Sequence, residues 1–380
     1  MTQTVLYFTD SNSFGGAERA LLQLLEGLDR SRWRPVLAYH PEAGLSPLIE
    51  RAARLDVRLV ETPRLPLGLE GARRVPSFGA MLHAERPAVF HAHLSWPLAC
   101  KWGLVTALLG RVPAVTATVQ LWVKSPYTLS AQIQQRWLAA GVGRYIAVSR
   151  VISEELVRVF HIPVHKVQVI HNAVDLGSYA SPASQQPPVE LARCPQRPVV
   201  LTVARLDKQK GHTTLLQAAA QIPEAVFVLV GDGQERNTLQ AICQSLGLEE
   251  RVIFAGFRSD IPNWLAHCDL FVLPSLYEGL SLSLLEAMAA GKPVIASAIP
   301  GNEEVIGHGK TGWLVPPGDA AHLAQALRAL LADPALAQRL ALAGQARVRR
   351  EFSVQTMVQQ VENLYVDLLG GAYEGKRPLG

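Results

Sequence analysis

Short runs rich in Val, Ile, Leu and Phe recur along almost the whole chain, each followed by a stretch whose apolar residues have helical spacing. This alternation constrains the fold more than any other feature. Strands buried on both faces read as continuous apolar runs, and strands joined by helices pair in parallel. In the first half the runs are TVLYFT, RPVLAYH, VRLVE, AVFHAH, AVTATV, RYIAVS and VQVIHN. Between Leu176 and Arg197 the pattern gives way to Ser, Pro, Gln and Ala, the composition of a linker. It restarts with RPVVLTVA, AVFVLVG, RVIFAG, CDLFVLPS, PVIAS and TGWLVP. The expectation is an α/β protein of two doubly wound, Rossmann-like parallel-sheet domains facing a cleft. Residues 1–178 form the first domain, 179–196 the linker and 197–352 the second. After Asp319 the pattern is helical to about Leu369, with a break near Asp333-Pro334.

Composition narrows the function. At 380 residues, 49% hydrophobic and 18% charged, the chain is globular and long enough for two cores. Cys100, Cys194, Cys243 and Cys268 show neither a CxxC pair nor metal-ligand spacing, so they read as reduced thiols of a cytoplasmic protein. The opening MTQTVLYFTD lacks a basic start and a long apolar run, so no signal peptide is expected. The longest apolar stretch, Trp102 to Gly110, is too short to cross a bilayer.

Charge is uneven. Residues 1–180 carry 19 Lys and Arg against 13 Asp and Glu, whereas residues 181–380 carry 17 against 19. Basic residues of the first half adjoin tryptophans: Trp33 within RSRWRP, Lys101-Trp102, Trp122 with Lys124, and Arg136-Trp137. Two readings stand open, separate helix faces with Trp in the core, or a peripheral surface that meets anionic lipid headgroups. Nucleic acid is not an expected partner, because no dense basic cluster or binding motif occurs.

The stretch YEGLSLSLLEAMAAGKPVIAS concentrates the chemistry. Glu278 and Glu286 lie eight positions apart around the start of a helix that follows an apolar strand. Gly279 permits a sharp turn, and the backbone N–H groups of Leu280, Ser281 and Leu282 are candidates for the unpaired donors that attract phosphate. Glu286, expected two turns along the helix, is placed to reach a ribose while Glu278 faces whatever lies beyond the phosphates. That geometry suits a nucleotide diphosphate sugar.

The glutamate pair, the glycine turn and the strand before it resemble the retaining glycosyltransferases of family 4, which have the GT-B fold. The resemblance extends over motifs in both halves. It implies that the final helix, roughly residues 353–370, crosses back to the first domain. It implies that Arg205 and Lys210, five residues apart after RPVVLTVA, clamp the diphosphate as it departs with added negative charge. Gly231 and Gly233 of LVGDGQE would line the nucleotide site. Phe257 and Arg258 of AGFRSD are the candidates for base contact. In the first domain Gly15 and Gly16 would let backbone approach the donor's distal phosphate, and His93 matches the family's cleft histidine, with His91 read as structural. Gln120 stands where many relatives carry a histidine near the reacting sugar. Glutamine can hydrogen-bond a hydroxyl but cannot shuttle a proton.

The resemblance therefore implies transfer of a sugar from a UDP- or GDP-linked donor to a hydroxyl of a glycan or lipid-linked acceptor, with Glu278, Arg205, Lys210 and His93 at the chemistry. No metal or other cofactor is expected. Acceptor contacts are expected from loops at residues 63–77 and 120–132. Alternatives are a non-catalytic nucleotide-sugar binder in a polysaccharide assembly complex and a GT-B nucleotide-sugar epimerase. A nicotinamide-linked dehydrogenase would want GxGxxG, which SFGGAE does not supply.

Overall fold

In the computed structural model the described residues are 2–121, 127–179, 186–193 and 196–374. The chain divides into two compact units, Met1–Ala173 with Val354–Gly380, and Val174–Ser353.

Every apolar run noted above becomes a strand. The first unit holds β1 (Gln3–Phe8), β2 (Trp33–Tyr39), β3 (Arg58–Glu61), β4 (Val89–Leu94), β5 (Ala114–Val119), β6 (Arg144–Ala147) and β7 (Val167–Val169). They pair in parallel in the order 3-2-1-4-5-6-7. The second unit holds β8 (Val199–Val203), β9 (Val226–Val230), β10 (Val252–Gly256), β11 (Leu270–Leu273), β12 (Val294–Ser297) and β13 (Trp313–Val315). Their order is 10-9-8-11-12-13, again parallel throughout. All of β8, β9, β11 and β12 is buried, which explains sequence runs that do not alternate.

Each strand order reverses direction once, between β1 and β4 in one sheet and between β8 and β11 in the other. At such a point the loops leaving two neighbouring strands diverge and leave a crevice at the carboxyl ends, where ligands of doubly wound sheets bind.

The break foreseen at Asp333-Pro334 separates helices Ala320–Ala332 and Pro334–Glu351. The last helix, Val354–Glu374, packs in the first unit. Its Val354, Met357, Val358, Val361, Leu364, Tyr365 and Leu369 share one core with Leu21, Leu25, Trp33, Leu37 and Ile146.

Trp33 follows the reading that puts tryptophan in the core: it is 2% exposed, because it sits on β2 with its ring against Tyr365. Two expectations are corrected. Residues 63–77, expected as a loop, contain the helix Leu69–Arg73 and the start of the helix Val75–Glu85. Glu286 lies one turn, not two, into its helix, because that helix runs Leu282–Ala289 and the chain from Glu278 to Ser281 precedes it. Trp122, Lys124, Cys194 and, within the linker, residues 180–185 and 195 lie outside the described residues. Cys100, Cys243 and Cys268 are free and buried.

Candidate functional site

In the second unit the loops leaving β8 and β11 lie at the reversal point and are locked together. Arg205 follows β8 by two residues, and Lys210 ends a short 3-10 turn, Lys208–Lys210. Gly211 then adopts φ +66°, and a side chain there would place its Cβ 2.0 Å from the Pro274 carbonyl oxygen. Leu276 N–H donates to the Gln209 carbonyl (2.7 Å), and Gln209 Nε2 donates to the Tyr277 carbonyl (2.9 Å). Held this way, Lys210 Nζ donates to Glu278 Oε1 at 2.6 Å, and Ser275 Oγ donates to the same oxygen at 2.7 Å. The side chains of Lys210 and Glu278 are 15% and 7% exposed, so the pair is largely withdrawn from water. Arg205 is its opposite: its side chain is 61% exposed and its guanidinium lies 3.1 Å from Asp207. His212 Nε2 donates to the Arg205 carbonyl at 3.0 Å and fixes the backbone of that loop.

The loop after β9 approaches the same backbone. Gly231 has φ +137°, and a Cβ there would fall 1.9 Å from the Ala204 carbonyl oxygen. A Cβ at Gly233 would lie 2.4 Å from the Leu206 carbonyl oxygen. Both glycines are demanded by the fold, since β8 and β9 are neighbours and their loops run in contact.

Beyond Glu278 the chain turns into the Leu282–Ala289 helix, with Ser281 as the N-cap and no side-chain cap bond to the helix start. Gly279, read as permitting a sharp turn, is not among the glycines that adopt a positive φ. The close approach is made instead by Gly301, whose added Cβ would sit 2.5 Å from the Gly279 carbonyl oxygen. Leu280, Leu282 and Glu286 are buried, and Glu286 is 2% exposed. Past β10, Phe257 is 65% exposed, whereas the Arg258 guanidinium pairs with Glu190 and lies 5.6 Å from the centroid of the Trp264 ring.

In the first unit, Gly15 caps the Gly16–Gly27 helix, and its N–H donates to Glu18 Oε2 at 2.8 Å. Apart from its chain neighbours and the backbone of its own helix, no described atom lies within 4 Å of where a Cβ on Gly16 would sit. His93, on β4, is buried, and neither ring nitrogen has a partner among the described residues. Burial brings its pKa down to about 3, so the ring is neutral near pH 7. The His91 ring lies 4.4 Å away, centroid to centroid, with Nδ1 2.6 Å from the Tyr365 hydroxyl and Nε2 2.7 Å from Thr118 Oγ1. Gln120, just past β5, is not a lone side chain: its Oε1 accepts from Asn172 Nδ2 at 2.9 Å, which aims its amide nitrogen away from that partner. Among the described residues no three His, Cys, Asp or Glu side chains gather into a metal-binding group.

Ser275 and Gln209 escaped the sequence reading as members of the site. They were legible only as neighbours of the marked residues, three before Glu278 and one before Lys210.

Comparison with known proteins agrees with this geometry. The family model described as "Glycosyl transferases group 1" matches residues 188–347, and "Glycosyltransferase Family 4" matches residues 14–178. The UDP-Gal:alpha-D-GlcNAc-diphosphoundecaprenol alpha-1,3-galactosyltransferase of Escherichia coli is 30% identical over 306 residues, covering 76% of this chain and 78% of that protein. The N-acetyl-alpha-D-glucosaminyl L-malate synthase of Bacillus anthracis is 32% identical over 217 residues, 56% of this chain and 57% of that one. The crystal structure of Anabaena Alr3699/HepE in complex with UDP-glucose superposes with a TM-score of 0.84 at 26% identity, covering 96% of this chain and 100% of that one. Two all-parallel Rossmann-like sheets, family models matched in order along both halves, and a relative alike over most of its length lead to one conclusion: the chain belongs to glycosyltransferase family 4 and has the GT-B fold.

Proposed function

We propose that this chain is a retaining enzyme that moves a sugar from a nucleotide diphosphate sugar to a hydroxyl of a glycan or lipid-linked acceptor, in cytoplasmic synthesis of cell-surface polysaccharide or glycolipid. The observation that carries the reading is the meeting of Lys210 and Glu278, 68 positions apart, at 2.6 Å beside an uncapped helix start at the sheet's reversal point. A buried cation, a carboxylate and helix N–H groups together suit a ligand that combines phosphates with hydroxyls. The relatives favour a UDP-hexose donor, since one is named for UDP-Gal and another was crystallised with UDP-glucose. The diphosphoundecaprenol in the first name favours a lipid diphosphate acceptor.

In this reading the bond from the anomeric carbon to the phosphate oxygen breaks, and its electron pair leaves with the nucleotide diphosphate. The acceptor oxygen bonds to the same face of that carbon, and its proton passes to the departing phosphate oxygen. Arg205 and Lys210 stabilise the charge that develops there, without need of a metal. Without donor, Lys210 is engaged by Glu278; the arriving diphosphate takes over the ammonium and frees Glu278 for the sugar hydroxyls. Glu286 takes the ribose, and the N–H groups of Leu280, Ser281 and Leu282 take phosphate. Gly231, Gly233, Phe257 and Arg258 line the nucleotide, and Gly15 and Gly16 admit the distal phosphate. His93, neutral at pH 7, offers a hydrogen bond rather than a charge. Gln120 contributes its amide N–H to a sugar or acceptor hydroxyl.

The test is nucleotide diphosphate release from UDP-, GDP- and ADP-sugars in the presence of chelator, comparing wild type with Arg205→Ala. The Arg205 side chain is 61% exposed, so loss of its ion pair costs the fold about 1 kcal/mol. Turnover should fall about a hundredfold or more, the usual consequence of removing a group aimed at developing charge. A near-normal rate in the variant would overturn the assignment.

A further inference from the structure

The helix Leu129–Gly141 is built with two opposed faces. Gln135, Leu138 and Ala139 face inward and are buried. On the other side Leu129, Ile133 and Trp137 are 72%, 60% and 62% exposed. Spaced four residues apart, they stand in one row about 12 Å long. Single exposed apolar residues are ordinary, but a row of three on one helix is a contiguous patch that calls for a covering.

Basic groups flank the row. Arg136 lies exposed one position before Trp137. On the other flank Lys101 Nζ donates to Gln134 Oε1 at 2.6 Å while lying 4.8 Å from the centroid of the Trp102 ring. The helix contains no acidic residue, and the whole stretch from Arg86 to Ser153 holds five Arg and two Lys with no Asp or Glu. Within the chain's near balance of charge, this is a segment of a single sign.

We propose that this face of the Leu129–Gly141 helix rests on an anionic lipid bilayer, with Leu129, Ile133 and Trp137 seated among the acyl chains and Lys101 and Arg136 against the headgroups. An apolar row edged by cations is the pattern of a helix lying in the plane of a membrane interface. A second copy fits poorly, since it would set Arg136 and the rest of this acid-free stretch against their own like charges. Among the described residues no helix is long and apolar enough to cross a membrane, so the contact is peripheral. The assignment does not depend on which donor the enzyme uses.

The experiment is co-sedimentation of the purified full chain with vesicles of phosphatidylcholine alone and of phosphatidylcholine and phosphatidylglycerol in equal parts. Wild type should bind the anionic vesicles, weakly bind the neutral ones, and lose binding as salt rises. Ile133→Gln with Trp137→Gln should weaken anionic binding about tenfold or more, from the apolar surface withdrawn, without lowering the melting temperature. Should that variant fold poorly, the single surface change Arg136→Glu should still weaken binding about fivefold. Absence of binding to anionic vesicles, or binding unchanged in folded variants, overturns the proposal. So does a lipid-free dimer of the wild type that the double substitution converts to monomer, which would make a second copy the covering.

Discussion

At the scale of single residues, the glycines of the site divide by what forbids a side chain. Gly231 and Gly233 press against the backbone of the Arg205 loop, at 1.9 and 2.4 Å from an added Cβ to a carbonyl oxygen. Gly16 has no described atom beyond its chain neighbours and its own helix backbone within 4 Å of an added Cβ. The fold therefore dictates the first two and not the third, for which the proposed donor site supplies the reason. Gly233→Ala should destabilise the protein by about 1–3 kcal/mol, the usual cost of overpacking, seen as a lower unfolding midpoint. Gly16→Ala should leave stability unchanged or raise it by up to about 1 kcal/mol, since alanine suits a helix better than glycine. Its turnover should nonetheless fall, as the methyl enters the space assigned to phosphate. Loss of stability in Gly16→Ala, or full activity, would remove that glycine from the donor site.

At the scale of elements, the last helix is fastened to the first sheet by a buried polar chain as well as by apolar packing. The Tyr365 hydroxyl lies 2.6 Å from His91 Nδ1 on β4 and 3.2 Å from the Tyr7 hydroxyl on β1. His91 continues to Thr118 on β5, and Glu362 Oε1 accepts from the Asp29 backbone N–H at 2.8 Å. Tyr365→Phe keeps the ring and strips His91 of a partner in a dry interior. The expected cost is about 1–3 kcal/mol, the penalty of one buried polar group left unpaired, measured by urea denaturation. A change well below that range would mean that water replaces the hydroxyl. His91 thus serves the architecture, as the sequence reading had it, and its neighbour His93 is the histidine with nothing bound among the described residues.

At the scale of the whole molecule, the buried histidines make stability depend on pH. Burial lowers His91 well below the ordinary histidine value of 6.5 and His93 to about 3. Between 6.5 and those values the unfolded chain binds protons that the folded chain refuses, so stability falls as pH falls through this window. For each fully refused proton the slope is about 1.4 kcal/mol per pH unit. Asp10, whose carboxyl is raised by burial, acts in the opposite sense at the acid end, which argues for measuring above pH 5. The melting temperature of wild type should fall steadily from pH 7 to pH 5, and that of His93→Gln should fall less. Parallel curves would show that His93 is hydrated and titrates normally.

The sequence by itself determined the architecture. Thirteen apolar runs became thirteen parallel strands, because a strand buried on both faces must be apolar at every position and so declares itself locally. It also marked Arg205, Lys210, Glu278 and Gly16 as candidates, through the resemblance of their motifs to those of the family. Tertiary structure alone decided the partners. Nothing local couples Lys210 to Glu278, Gln120 to Asn172, or His91 to Tyr365, which lie 68, 52 and 274 positions apart. The same holds for the tryptophans, alike in sequence beside basic residues: Trp33 faces a helix that returns from the far end of the chain and is buried, while Trp137 faces away from its sheet and is exposed. Strand identity follows from the period of the chain; contact and exposure follow from which distant segment arrives on each face.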